Sequence, residues 1–223
     1  MLLLAIIIIL SYLVGSIPTS IIVSKAVKGI DIRKYGSGNA GGTNVMRVLG
    51  WKHGVFVIFL DVMKGVIAVV LVARLFYGPL PFENASPFDD FTLVQIIAGI
   101  SAVIGHIWTI FADFKGGKGI ATALGMLLMI ITVDMLIAIG VFLLVVTISK
   151  YVSLGSLVAA ISIPISLILR ENVFHTDISG YHTILPFVIL LTLLVIYTHR
   201  KNVVRIFSGT ENKLSFKKKS KQK

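Results

Sequence analysis

The sequence predicts an all-α, polytopic membrane helix bundle. Of 223 residues, 56% are hydrophobic and only 14% charged, with a mean hydropathy of +0.95, whereas a soluble domain carries roughly 25% charged residues. Apolar runs of about 17 residues or more recur along the chain, each long enough to cross a bilayer as a helix. These runs do not alternate apolar with polar, as barrel strands would.

Taken in order, residues 2–24 form span one. Met1-Leu2-Leu3-Leu4 has no basic segment and no clear cleavage site follows, so this is expected to be a retained span. Pro18 lies inside it and is expected to kink it. Residues 25–52 read as a loop, 54–77 as span two with Asp61 and Lys64 inside it, and 78–91 as a Pro- and acid-rich loop without Lys or Arg. Span three covers 92–112 and a short polar loop covers 113–119. Residues 120–149 are too long for one ordinary span, so they are split into two short spans meeting at Asp134. Lys150-Tyr151 makes a turn, 152–169 form span six, 170–182 a loop, and 183–198 span seven.

Seven spans put the termini on opposite sides. All but Lys64, Arg74 and Arg170 of the 21 Lys and Arg residues fall on the side of the C-terminus, while Glu83, Asp89, Asp90, Asp134, Glu171 and Asp177 fall opposite. The positive-inside rule then places the C-terminus and the polar loops in the cytoplasm and the N-terminus outside. The net charge of +11 is explained by this asymmetry, without nucleic acid. The run Lys217-Lys218-Lys219, in the basic tail 205–223, suits anionic lipid. No cysteine is present, which excludes disulfides and thiolate chemistry. No second domain boundary is visible, so 1–223 reads as one domain.

The polar, glycine-rich segments all lie on the cytoplasmic side. Loop one, residues 31–47, contains Gly36, Gly38 and Gly41 at G-x-G-x-x-G spacing, but no βαβ unit surrounds it, so a dinucleotide site is not indicated. Ser37, Asn39, Thr43, Asn44 and Arg47 surround a flexible backbone with hydroxyl, amide and guanidinium groups, which suits phosphate. Loop two, Phe114-Lys115-Gly116-Gly117-Lys118-Gly119, fails the P-loop pattern because Gly119 follows Lys118 where a hydroxyl is needed. A glycine-rich helix start with an ammonium remains an anion site. Loop three carries Ser153 and Ser156, and His199 and Asn202 are spaced to share a helix face.

Asp61 and Lys64, three apart inside a span, pair structurally or act in the site. His106 is either a packing or a site residue, and Glu211 could close the site by pairing with a base. No cluster has metal-ligand spacing, and no cofactor motif is found. A transporter for an organic anion would also gather basic residues and broken helices, but near the membrane midplane, whereas these motifs sit at one face.

Read together, Gly15-Ser16-Ile17-Pro18-Thr19-Ser20, Asp31-Ile32-Arg33 with Gly36-Ser37-Gly38-Asn39 and Thr43-Asn44, Arg47, Gly50, Asp61 with Lys64-Gly65, and Gly105-His106 make a pattern. It continues with loop two and Ala121-Thr122, Tyr151-x-Ser153-Leu154, His199, Asn202 and Gly209-Thr210-Glu211. This pattern resembles the bacterial acyl-phosphate:glycerol-3-phosphate acyltransferases, end to end and in order. Gly42 and Thr109 depart from it, where Ala and Pro are expected.

The resemblance implies transfer of an acyl group from acyl phosphate to the 1-hydroxyl of sn-glycerol 3-phosphate, giving lysophosphatidic acid and phosphate. It implies an enzyme of the bacterial inner membrane, facing the cytoplasm, without cofactor or metal, and functional as a monomer. It also implies that Ser37 and Arg47 are essential, that Lys118 with Lys115, Gly116, Gly117 and Gly119 binds phosphate, and that His199 and Asn202 belong to the site. Gly38, Asn39, Thr43, Asn44, Ser153 and Ser156 are expected to bind substrate, with Asp61, Lys64, His106 and Glu211 in support. Either His199 or a substrate phosphate can take the hydroxyl proton, and substrate-assisted attack, with His199 binding, is favoured; a Ser37 acyl-enzyme is disfavoured because no base adjoins Ser37 in the sequence.

Overall fold

The computed structural model describes residues 2–86 and 88–213; the Lys217-Lys218-Lys219 run and Pro87 lie outside them. The described residues form α-helices without strands: α1 (Leu2–Ser16), α2 (Thr19–Lys28), α3 (Gly42–Leu49), α4 (Trp51–Ile67) and α5 (Asp90–Ile107), then α6 (Ile120–Ile130), α7 (Thr132–Ser149), α8 (Val152–Asn172), α9 (Tyr181–Thr198) and α10 (Arg200–Phe207). Among the described residues, six segments are long and apolar enough to cross a membrane: Leu2–Lys28, Trp51–Leu75, Asp90–Ala112, Thr132–Ser149, Val152–Asn172 and Tyr181–Thr198. The eleven-residue α6 is about 16 Å long, roughly half the hydrocarbon thickness.

Several expected boundaries move. The 120–149 run does divide, but at Ile131, with Asp134 in the first turn of α7 rather than at the junction. Residues 25–52 are not one open loop: α2 extends to Lys28, Ile32–Lys34 form a 3-10 turn, and α3 covers Gly42–Leu49. The tail after His199 begins as helix α10. The kink expected at Pro18 is a full break between α1 and α2. Proline's missing N–H frees carbonyls that apolar surroundings cannot solvate, and neighbouring side chains supply the donors. Lys64 Nζ donates to the Ile17 carbonyl at 2.6 Å, and Thr109 Oγ1 donates to the Ser16 carbonyl.

Small residues let these helices meet backbone to backbone. A Cβ at Gly15 would strike the Ala102 backbone, and one at Gly105 the Tyr12 carbonyl, so α1 and α5 lie in direct contact. Gly65 and Gly125 meet the opposing backbone where α4 crosses α6. In α7, Val133, Leu136, Ile137, Leu143, Leu144 and Ile148 are exposed on one stripe, while Asp134, Met135 and Ala138 are buried on the other. The largest apolar core runs through α5 to α9 and includes Met126, Leu127, Met135, Ile163, Val188 and Leu191.

Candidate active site

Loop one is organised by Asn44, which is 1% exposed. Its amide nitrogen lies 3.1, 2.9 and 3.0 Å from the carbonyls of Ile32, Tyr35 and Asn39, and its carbonyl accepts the Ser37 N–H at 2.8 Å. One side chain thereby replaces the hydrogen bonds that an irregular backbone lacks. Gly36 and Gly38 adopt φ of 60° and 75°, the left-handed region that glycine enters without strain. Asn44 lines the cavity described below, but its amide is engaged with the loop itself. Arg33 ties loop one to loop two: it grips Asp31 with Nε at 3.1 Å and Nη2 at 2.8 Å, and donates to the Ala112 carbonyl at 3.0 Å. That Arg33 contact holds the Asp31 carboxyl down at about 2.

In loop two, the Gly116 N–H donates to the Ile107 carbonyl and the Gly117 N–H to the His106 carbonyl, both at 3.0 Å. These two amides, expected to cradle an anion, close the end of α5 instead. Lys115 is exposed. Lys115, Gly116, Gly117, Gly119 and Gly38 stand outside the cavity lining, which takes only Lys118 from this loop.

The opposite wall joins the start of α8, the α9–α10 junction and the returning chain at Glu211. Lys118 Nζ donates to Asn202 Oδ1, and Asn202 Nδ2 donates to Glu211 Oε1 at 2.8 Å. Ser153 Oγ donates to the same oxygen at 3.0 Å, and Arg205 Nε to Glu211 Oε2 at 2.7 Å. Burial alone would raise the Glu211 pKa, but the hydrogen bonds from Arg205, Asn202 and Ser153 hold it below the usual value. Glu211 therefore pairs with Arg205 and not with Arg47 or Lys118.

This leaves cationic groups under-compensated. Burial pushes the Lys118 ammonium down to about 8, with Glu211 opposing and Arg205 and Arg47 adding to the shift. Burial likewise lowers the Arg47 pKa. Its Nε is buried without a hydrogen-bond partner among the described residues, and its Nη2 reaches the Asn212 carbonyl only at 3.4 Å. Desolvated cations with unused donors favour an incoming anion.

His199 Nδ1 stands 2.9 Å from the Val195 carbonyl, so Nδ1 carries the proton and Nε2 is left as an acceptor. Burial, then the Lys118 charge, push this imidazole down to about 4.

A cavity of about 390 Å³ joins these groups. Its polar end holds Ser37, Asn39, Thr43 and Arg47 from loop one and α3, facing Lys118, Ser153, Ser156, His199, Asn202 and Glu211. Its other end is an apolar shaft between α6, α7, α8 and α9, lined by residues such as Leu127, Met135, Ile163 and Val188. Sequence reading did not find the shaft, nor the parts played by Arg33, Arg205 and Thr19.

Asp61 and His106 also border the cavity. Asp61 Oδ1 accepts from Thr19 Oγ1 at 2.5 Å and from Lys64 Nζ at 2.6 Å, and His106 Nδ1 lies 3.6 Å away. Since Lys64 also holds the Ile17 carbonyl, this cluster braces the break in the first span behind the site. Among the described residues, no group of His, Cys, Asp or Glu has the arrangement of a metal site.

The sequence model of the family described as glycerol-3-phosphate acyltransferase matches residues 5–209. A glycerol-3-phosphate acyltransferase of Chlorobaculum tepidum is 50% identical over 230 residues, covering 96% of this chain and 97% of its own length. One from Chlorobium phaeobacteroides is 46% identical over 226 residues, covering 93% and 94%. Among solved structures, PlsY, described as an integral membrane glycerol 3-phosphate acyltransferase, superposes in its glycerol 3-phosphate form with a TM-score of 0.79. The identity is 35%, over 95% of this chain and 96% of that one. Its lysophosphatidic acid form gives 0.76 at 34% identity. So close a likeness, carried through nearly the whole sequence and through the fold, establishes that this chain belongs to the glycerol-3-phosphate acyltransferase family and is an integral-membrane acyltransferase.

Proposed function

We propose that this chain moves a fatty acyl group from acyl phosphate to the 1-hydroxyl of sn-glycerol 3-phosphate, releasing lysophosphatidic acid and inorganic phosphate. The observation that carries the reading is the single cavity with a cationic mouth and an apolar shaft. Two phosphates and one hydrocarbon tail need both. Arg47 and Lys118 hold phosphate and offset the charge that grows on the leaving group. Ser37, Asn39 and Thr43 direct substrate oxygens from loop one, with Asn44 fixing that loop. Asn202 aims Lys118, and Glu211 fixes Asn202. Lys115 and the loop-two glycines serve by setting where Lys118 projects.

The glycerol oxygen attacks the acyl carbonyl carbon, the bond from that carbon to the phosphate oxygen breaks, and phosphate leaves. The hydroxyl proton goes to a substrate phosphate. A His199 held near 4 is a weak base but a neutral, fixed acceptor, so Nε2 orients the hydroxyl. Acyl phosphate is an activated mixed anhydride, which makes this direct transfer sufficient without a Ser37 acyl-enzyme.

In this reading the protein acts as a monomer in the bacterial inner membrane, crosses it seven times with the short α6 included, and keeps its N-terminus outside. The cavity mouth then faces the cytoplasm, where the basic tail meets anionic lipid. The test is purified protein in detergent with palmitoyl phosphate and glycerol 3-phosphate, following phosphate release. Turnover with palmitoyl phosphate and none with palmitoyl-CoA is expected. Ser37→Ala is expected to lose at least 100-fold in kcat/KM, an effect of the size reported for losing one transition-state hydrogen bond. Near-normal turnover by that variant would remove loop one from the site.

A further inference from the structure

Resting on that reading, we propose that the floor of the shaft, Met135, Ile163 and Val188 backed by the Asp134–Ser166–Arg170 cluster, sets the acyl-chain length the enzyme prefers. The shaft follows α9 from His199 to Val188, which is about 16 Å at the helical rise, and follows α8 from Ser156 to Ile163. Both walls end at one level. There Met135, Ile163 and Val188 are 7%, 6% and 1% exposed, so the floor is closed by side chains.

Immediately behind it, Ser166 Oγ and Arg170 Nη1 bond the two oxygens of Asp134, the latter at 2.5 Å. Asp134 directly precedes Met135 in the first turn of α7, and Ser166 and Arg170 lie about one and two turns beyond Ile163 in α8. A methyl end that displaced them would strand the Asp134 carboxylate, whose side chain is 2% exposed, which is far more costly than bending the tail. The hydrocarbon therefore stops at this level.

The side wall is open nearer the mouth. Leu143 lines the cavity and is 56% exposed, and its neighbour Phe142 lies at the level of Gly155. A tail arriving from the bilayer enters there and reaches downward to the floor. Because the tail leaves an apolar phase, its burial contributes little net free energy. Discrimination between chain lengths then comes from fit against the floor, where overfilling is penalised.

The test compares kcat/KM for lauroyl, palmitoyl and stearoyl phosphates in the wild type, Ile163→Ala and Ala160→Leu. Ile163→Ala deepens the floor, and Ala160→Leu raises it by filling the shaft one turn earlier. The stearoyl-to-lauroyl ratio is expected to rise at least threefold in the first and fall at least threefold in the second. Should Ile163→Ala not fold, Ile163→Val is expected to move the ratio in the same direction by a smaller step. In parallel, the thermal stabilisation given by lysophosphatidic acids of the same three chain lengths is measured for each protein and is expected to shift in the same sense. A profile unchanged in both variants, by turnover and by stabilisation, overturns the ruler while leaving the acyl transfer intact. If the wild type turned over no acyl phosphate, the reaction assignment would fail, and the stabilisation series alone would decide the ruler.

Discussion

Lys118 gives the sharpest pH prediction. In the substrate-free site, burial lowers its ammonium from 10.5 to about 8, which makes the charged form about 3 kcal/mol less favourable than in water. At pH 9 only about one Lys118 in ten is protonated, so kcat/KM for glycerol 3-phosphate is expected to lie about tenfold below its plateau at pH 7. The substrate does not supply this limb, because a phosphate monoester completes its second ionisation near pH 6. Nor does His199, held at about 4. Unfolding does not supply it either. Between about 8 and 10.5 the unfolded chain binds more protons at this lysine than the folded one, so this group favours folding as pH rises there.

Lys118→Arg, whose guanidinium stays protonated throughout, is expected to lose the limb at whatever activity remains. Calorimetry in buffers of different ionisation enthalpy provides a second assay. Binding of glycerol 3-phosphate at pH 8.5 is expected to take up protons in the wild type and none in Lys118→Arg. A flat kcat/KM profile from pH 7 to 9.5, or equal proton uptake in both proteins, would refute the placement of a desolvated Lys118 at the phosphate.

Asp61→Asn leaves the Lys64 ammonium, 5% exposed, without its anion. A loss of about 3 kcal/mol in stability is expected, read as a lower midpoint of thermal unfolding in detergent. The double variant Asp61→Leu with Lys64→Met is expected to recover part of it. Asn44→Ala removes the hub of loop one and should lower kcat more than 100-fold with a smaller effect on the unfolding midpoint, since it displaces Ser37 by unpinning its backbone. Gly65→Leu places a branched side chain against the Thr122 carbonyl. It is expected to separate α4 from α6 and lower the unfolding midpoint, whereas Gly140→Leu, with open space at its Cβ, should leave the midpoint unchanged.

Much of the site was legible in the sequence because polar residues are costly in a membrane chain and therefore mean something where they occur. The cavity mouth gathers Ser37, Arg47, Lys118, Ser153, His199 and Asn202 from segments up to 165 residues apart, and each stood out as a polar residue beside an apolar run. Asp61 and Lys64 were visible as partners for the same reason, and the division of residues 120–149 followed from length. What the sequence could not disclose was which groups were already occupied. Gly116 and Gly117 look like anion donors until Ile107 and His106 are seen to accept their N–H groups, and Asn44 looks like a ligand until its loop is folded around it. The shaft was hidden for a deeper reason. In a bilayer, a helix face toward lipid and a face toward an apolar cavity carry the same residues, so Met135 and Leu136 cannot be told apart by hydropathy. Only helix packing turns one inward, at 7% exposure, and leaves the other outside, at 57%. The sequence by itself determined a membrane bundle and the polar residues at the cavity's mouth, and the tertiary structure decided which apolar faces line the shaft, because apolar periodicity carries no sign of inside or outside when the solvent is itself apolar.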